Sequence, residues 1–505
     1  MVLLISFSSF SQKFTTNLSE PFESKLTTKY FKSGDGYVTF EDIDNKMQLA
    51  YTFKLSKTKF GIRLRSFNSS MEMIKENKLE GGDRHFGPFP TTMVRFGDTL
   101  YLVYYRFDDD KDEVVINSAK LDPVSLELGP EKPIMRFDIQ NIGAFKVVKL
   151  NNGFNFWVNW SPDRSKALAY FSSGIDNRFT MAVMDQGMNP IWSRTETISQ
   201  TKEIDCDAAV VDNDGVVYVS YQYEVKKDPN SHHVMVCKAK GKGKDFEMTA
   251  PSGTPYQVLL VPSKLGNFIH VVGTVGSEDG LTGVFRQQYS IPGSRLDKMQ
   301  ITDFSNDLVS QLDHDGWANT KSKRYGLSFL KMKAFELEDG SIAMAGEFEE
   351  TRTSNTPSSS GGFRSFHISG SILNIRLGTG NPVVNWIPKV RVSAGALYGA
   401  SYYAFPFKNN LFIFYNDEAR NLNKEVGEKY ARSSNYKNVS LIAGYMQADG
   451  SIKRELLIDL SNDDFLPEGD AISPVSSSSL LVPITRIKSM GGKAKDSRWG
   501  VINIE

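Results

Sequence analysis

Five carboxylates crowd one short stretch: Asp108, Asp109, Asp110, Asp112 and Glu113. Calcium takes about six to eight oxygen ligands, and clustered carboxylates can supply them. Lys111 interrupts the run and no glycine-bearing loop follows, so the stretch reads first as a solvated acidic hairpin tip. The segment 212–215 (DNDG) opens like a calcium loop, yet position 223, twelve along, is a tyrosine. It reads as a tight turn. His232–His233 beside Asp228, and Asp313–His314–Asp315, offer imidazole and carboxylate to a metal with partners from elsewhere. Isolated histidines on loops are mostly solvated, and no metal or cofactor is expected. Lys238, Lys240, Lys242 and Lys244 alternate along one hairpin. A nucleic-acid patch is one reading, but alternating lysines also keep an exposed sheet edge from pairing with another chain.

Nucleophile and phosphate motifs are missing. The sequence holds no GxSxG, HExxH, CxxC, Walker loop or GxGxxG, and neither the Asp-box nor the Trp-Asp signature of known repeats. GTGN at 378–381 is a hairpin turn. Carboxylates for glycoside hydrolysis could still come from separate repeats, which no linear motif would reveal. The expectation is a protein without catalytic residues.

These side chains need a scaffold, and composition bounds it. The chain has 505 residues, 40% of them hydrophobic, with 59 Lys+Arg against 59 Asp+Glu. That is a globular composition, and zero formal charge argues against a whole-molecule binder of nucleic acid. Two cysteines, Cys206 and Cys237, are too few for a disulfide framework. On the first and third strands of one sheet they lie beyond disulfide reach. No apolar run is long enough to cross a membrane as a helix.

A repeat decides the fold. Polar turns precede apolar strands at 42–45, 96–98, 151–153, 212–215, 265–267, 338–340, 408–410 and 477–479. A second set falls at 67–71, 121–125, 184–190, 240–244, 291–295, 378–382 and 447–451. Four strands in about 60 residues is the spacing of a β-propeller blade. The fold class is therefore all-β: a single propeller of eight blades, with seven the alternative. The last unit lacks its outer strand, and segment 25–32 (KLTTKYFK) is expected to supply it, closing the ring by pairing the two ends.

Strand alternation then assigns the loops to faces. Turns between strands one and two, and three and four, share one face and are short. The opposite face carries the long pieces 223–232, 301–326, 349–366, 416–438 and 486–498. Long loops on a rigid scaffold are where recognition sits. These pieces carry Trp317, Tyr325, Arg352, Arg364, Arg420, Tyr430 and Arg432, residue types enriched at protein contacts. Counting charge along the eight loops between second and third strands gives a basic half of +10 over blades six, seven, eight and one (351–366, 417–437, 486–498 and 54–59), with Lys493, Lys495 and Arg498 in the loop 486–498. Blades two to five (106–113, 160–166, 224–232 and 276–281) form an acidic half of −4.

The segments 386–417 and 440–459 resemble exported, largely uncharacterised β-propeller proteins of Bacteroidota. The matching elements are Trp386–Ile387–Pro388–Lys389, the Tyr-Ala-Phe-Pro strand at 403–406 and the Phe-Tyr-Asn-Asp end at 414–417. Among exported propellers of that lineage are periplasmic accessory proteins of the type nine secretion system, and the chain resembles its translocon plug in size and catalytic silence. The resemblance implies a periplasmic protein bound to an outer-membrane complex. The apolar Val2–Phe7 stretch fits the same origin, with residues 1–11 read as the remnant of a signal peptide and 12–505 as one propeller domain. The reading is thus a non-enzymatic propeller that binds a protein partner through its long-loop face, with no nucleic acid, no transmembrane segment and no cofactor. The alternative is a carbohydrate-binding or glycoside-acting propeller with its site in the central channel.

Overall fold

The computed structural model describes residues 14–19, 22–23, 28–33, 36–42, 61–80, 92–108, 111, 113–138, 155–172, 177–225, 228–249, 254–277, 280–305, 307–308, 329–357, 363–378, 382–389, 391–394, 402–425, 428, 439–447, 449–460, 465–469, 472–486 and 496–505. Eight antiparallel sheets follow one another as the blades of a β-propeller. Numbered along the chain, the blades span 28–80, 92–138, 155–197, 205–247, 254–303, 329–394, 403–458 and 465–504.

The period-two pattern of a strand explains the packing. In blade three the second strand, Ala167–Ser172, is buried along its whole length. Ala167, Ala169 and Phe171 join the core shared with blade two, while Leu168 and Tyr170 join the core shared with blade four. Successive side chains point to opposite faces, so one strand fills two seams. The outer strand Pro190–Thr197 meets solvent and alternates accordingly.

The short-turn face is stitched from blade to blade. Asn213 Oδ1 accepts from the Asp163 amide of the preceding blade at 3.1 Å, and Asn409 Oδ1 accepts from the Asp339 amide at 2.9 Å. Glu336 of blade six accepts from the Ser263 hydroxyl of blade five at 3.2 Å. Each turn also needs one residue at positive φ. Gly215 (81°) and Gly340 (77°) provide it, and in blade seven Lys408 stands there at 54°.

The ring closes by pairing its ends, through a different segment from the expected one. Phe14–Leu18 is the outer strand of blade eight, in register from Phe14↔Ile504 to Leu18↔Gly500. Segment 25–32 does not play this part, because Thr28–Ser33 is the innermost strand of blade one. The sequence of that segment runs almost directly into Gly36–Asp42, and the resulting hairpin closes a far smaller loop than pairing with the C-terminus would. The seam is well filled. Trp499, fully buried, lies 4.3 Å from Phe67 and 5.7 Å from Tyr37 of blade one, while Phe14 stands edge-on to Phe412 of blade seven at 5.5 Å.

Two turn assignments shift. In blade one, DIDN begins at Asp42, the end of the second strand, so it follows that strand rather than preceding it. In blade three, NNG at 151–153 comes before the first strand, Asn155–Trp160, and the turn between strands one and two is 161–166. The charges of 160–166 therefore lie on the short-turn face, not on the face where they were counted. The other six first turns, and all seven second turns, fall between the expected strands.

Candidate functional site on the long-loop face

Blade six departs most from the repeat. Its middle strands, Ile342–Pro357 and Phe363–Leu377, have 16 and 15 residues, against 6 and 7 for the corresponding strands of blade three. The first strand of the blade pairs no further than Phe348, and the hairpin continues beyond it, from Glu349↔Ser369 to Pro357↔Phe363. At about 3.3 Å per residue, 349–357 extends roughly 30 Å. Arg391–Ala394 adds a third strand against Phe366–Ser369. What the sequence suggested as an irregular loop is a β-sheet arm. The segment 223–232 is likewise mostly hairpin, since Val217–Val225 and Asp228–Cys237 pair through it.

The arm and blade seven are held by a buried charged cluster. Lys389 Nζ pairs with Glu347 Oε1, the two side chains 0% and 1% exposed. Tyr402 donates its hydroxyl to Ala345 O at 2.7 Å. Asp417, at the end of blade seven's second strand, accepts from Asn421 Nδ2 at 2.9 Å and from the Glu418 amide at 2.8 Å. Burial pushes its carboxyl up to about 7, against the opposing pull of those two donors and of Lys389 and Arg454. Arg454 binds the carbonyls of Asn421 and Lys424. The first turn of the long insertion, including the 3₁₀ turn Ala419–Asn421, is thereby fixed to the blade.

The same face carries a second feature, on the inner strands. Those of blades four, five and six each contain a β-bulge, at Cys206/Ala208, Tyr256/Leu259 and Leu330/Lys333. The inner strands of blades one, two, three and seven pair without one. Bulges re-aim side chains. In blade five the bulge puts Gln257 at φ 42° and brings its carbonyl against Gly273, where a Cβ would meet it at 2.7 Å. In blade four it bears Asp207, whose carboxyl is pushed up to about 7 by burial and by neighbouring Asp205.

The expected site residues distribute unevenly. Arg352 and Arg364 share the arm, in the strands Ile342–Pro357 and Phe363–Leu377. Arg420 lies on the 3₁₀ turn, 68% exposed and paired with Glu418. Arg498 is not in a loop: it belongs to the strand Asp496–Ile504, its guanidinium 4.0 Å from the Phe465 ring centroid. Trp317, Tyr325, Tyr430, Arg432, Lys493, Lys495, Asp109, Asp110, Asp112 and the 313–315 triplet lie outside the described residues, as do 1–11. Asp108 pairs with Glu113 across the blade-two hairpin, and Glu113 meets Arg136 at 3.0 Å. The DNDG segment is a turn whose Asp212 accepts from its own backbone, at Asp214 and Val216, and from the Tyr218 hydroxyl. Cys206 and Cys237 are free and buried on the first and third strands of blade four, as expected. His232 and His233, being adjacent on a strand, point to opposite faces of blade four and cannot share one metal ion. Among the described residues no group of three or more His, Cys, Asp or Glu is placed to hold a metal. No helix among the described residues is long and apolar enough to cross a membrane.

No protein-family model and no curated protein matches the sequence. Solved structures resemble it at low identity. The chain is similar to the WD40 domain of SCAP from fission yeast (7% identity, 97% of this chain and 98% of that one, TM-score 0.41). It is also similar to the acylaminoacyl peptidase of Pyrococcus horikoshii (10% identity, TM-score 0.37), covering 94% of this chain but only 59% of the peptidase. A protein of unknown function from Dyadobacter fermentans aligns over 70% of this chain and 96% of its own (10% identity, TM-score 0.32).

Proposed function

We propose that the protein is a binding platform that engages a protein partner through its long-loop face. The blade-six arm carries this reading. It continues past the blade that supports it, bears Arg352 and Arg364, and is anchored by the buried Lys389–Glu347 pair. A rigid projecting sheet with arginines loses less entropy on docking than a free loop of equal length would. Export to the periplasm, supported by the apolar 2–7 stretch, and association with an outer-membrane complex, supported by the resemblance of 386–417, are the finer parts of the proposal. The test is a mild-detergent pull-down from the source envelope with tagged protein, comparing the full chain with a variant lacking 351–364. The arm-deleted variant should fold, since pairing from Ile342 to Glu347 remains, and should lose the partner recovered by the full chain. Equal recovery by both proteins would defeat the reading.

A second reading, a ligand in the central channel, is favoured by the three adjacent inner-strand bulges. They cluster at the long-loop end, beside Asp205, Asp207 and the 41% exposed Tyr256. Carboxylates and an aromatic ring at a channel mouth suit a sugar. Binding on a glycan array that disappears in Asp207→Asn would establish it.

A further inference from the structure

The third and fourth strands of blade four, with the second beside them, bring together a serine, a histidine and an aspartate in a chain of contacts that no sequence motif announced. Ser231 and His233 are two apart on the strand Asp228–Cys237, so their side chains share one face of the sheet. Ser231 Oγ lies 3.0 Å from His233 Nε2. His233 Nδ1 lies 3.0 Å from Asp245 Oδ2 on the neighbouring outer strand. The imidazole ring is held in place: it stacks with Tyr221 (centroids 5.2 Å, 17°) and Tyr223 (5.1 Å, 19°). Burial and the nearby Asp245 carboxylate both push the Tyr221 hydroxyl up, so it stays protonated. Nδ1 stands beside the carboxylate without being aligned to hydrogen-bond it, so the tautomer is assigned by proximity alone: with the proton on Nδ1, Nε2 accepts from the Ser231 hydroxyl.

Serine and imidazole are in contact, with a carboxylate beside the imidazole, and these are the three groups by which a serine becomes reactive. It stands at the open edge of the blade. Ser231 is only half-buried, and exposed Glu247 Oε1 lies 3.4 Å from its hydroxyl.

We infer that Ser231 is an activated nucleophile that takes an acyl group from a small carboxylic ester, with His233 as its base and Asp245 and Tyr221 as positioning residues. Ser231 Oγ attacks the ester carbonyl, and its proton passes to His233 Nε2. The bond to the leaving alcohol breaks, and the alcohol departs with that proton. Water then cleaves the acyl-serine: its proton passes to His233, its hydroxide takes the acyl group as the carboxylic acid, and the proton returns to Ser231. The activity goes beyond the binding proposal and does not rest on the arm.

The experiment treats the full-length protein with a fluorophosphonate probe, maps the adduct by peptide mass spectrometry, and measures hydrolysis of 4-nitrophenyl butyrate in parallel. The expected result is a single adduct on Ser231, lost in Ser231→Ala. Ester hydrolysis should fall by at least about 100-fold in Ser231→Ala and in His233→Gln. Asp245→Asn should slow labelling while leaving the thermal midpoint unchanged, an effect that a merely structural role would not give. Circular dichroism checks that each variant is folded. Absence of an adduct on Ser231 in the folded wild-type protein overturns the inference, as does equal hydrolysis by Ser231→Ala. If Ser231→Ala fails to fold, Ser231→Thr and the adduct map on the wild-type protein decide the question alone.

Discussion

The two faces of the disc place the same residue type, aspartate, in opposite surroundings. On the short-turn face, aspartates sit in exposed turns and accept from the turn itself. Asp122 takes the amides of Ser125 and Val124, Asp163 the hydroxyl of Ser161, and Asp449 the hydroxyl and amide of Ser451. Each carboxyl is held below its usual range by those donors. On the long-loop face, burial pushes Asp207 and Asp417 up to about 7. Asp212 is the instructive exception. It is a turn aspartate with the same backbone donors, yet its carboxyl is raised, because burial outweighs them. Desolvation, not motif, decides the sign. The short-turn face uses charge to hold the ring together, whereas the long-loop face stores charge at a cost, and stored charge of this kind marks functional sites.

The contrast breaks most forcibly at Lys389. Lys389→Met should destabilise the protein by about 3–5 kcal/mol in urea unfolding, because Glu347 then stays buried without the ammonium it pairs with. Lys389→Met combined with Glu347→Leu should recover most of that loss.

Asp417 tests the sign of the difference. Its folded carboxyl titrates near 7, above the unfolded value of 3.8, so the folded state holds its proton while the unfolded state gives it up. The group therefore weakens the fold progressively as pH rises from about 4 to 7, by on the order of 1 kcal/mol per pH unit within that window. In Asp417→Asn this slope should flatten, with a gain at pH 8 and little change at pH 4. Unfolding curves at both pH values read it directly. The turn aspartates do the reverse. Their folded carboxyls lie below the unfolded value, so their contribution is present above about 4 and is lost as pH falls through the folded value.

Smaller effects belong to the short-turn face. Asn409→Ala removes the acceptor of the Asp339 amide and should cost about 0.5–1.5 kcal/mol. Lys408→Gly relieves a positive φ and should stabilise blade seven by a few tenths up to about 1 kcal/mol. If Asn409→Ala proved larger than Lys389→Met, the division of labour between the faces would be wrong.

Much of the architecture was legible along the chain. The eight-blade ring, the order of the turns and closure by the two ends follow from turn chemistry and a two-residue period, which are local properties. The errors were local as well. NNG and DIDN are good turn sequences on the wrong side of a strand, and a single-strand slip moves a loop to the other face. The arm was visible only as a long polar stretch, because ETRTSNTP has few of the apolar residues that announce a buried strand. For the serine, a histidine two residues away was the one available signal. Asp245 lies across a hairpin, and nothing in its neighbourhood distinguishes it from a solvated turn residue.

The sequence by itself determined which residues make strands, where the chain reverses and how many blades result, since each depends on residues within a few positions of one another. Tertiary structure alone decided which carboxylates are desolvated, which segment closes the ring, and that Ser231, His233 and Asp245 meet. Those outcomes depend on what packs across a seam or a strand pair, and a linear pattern does not encode the partner.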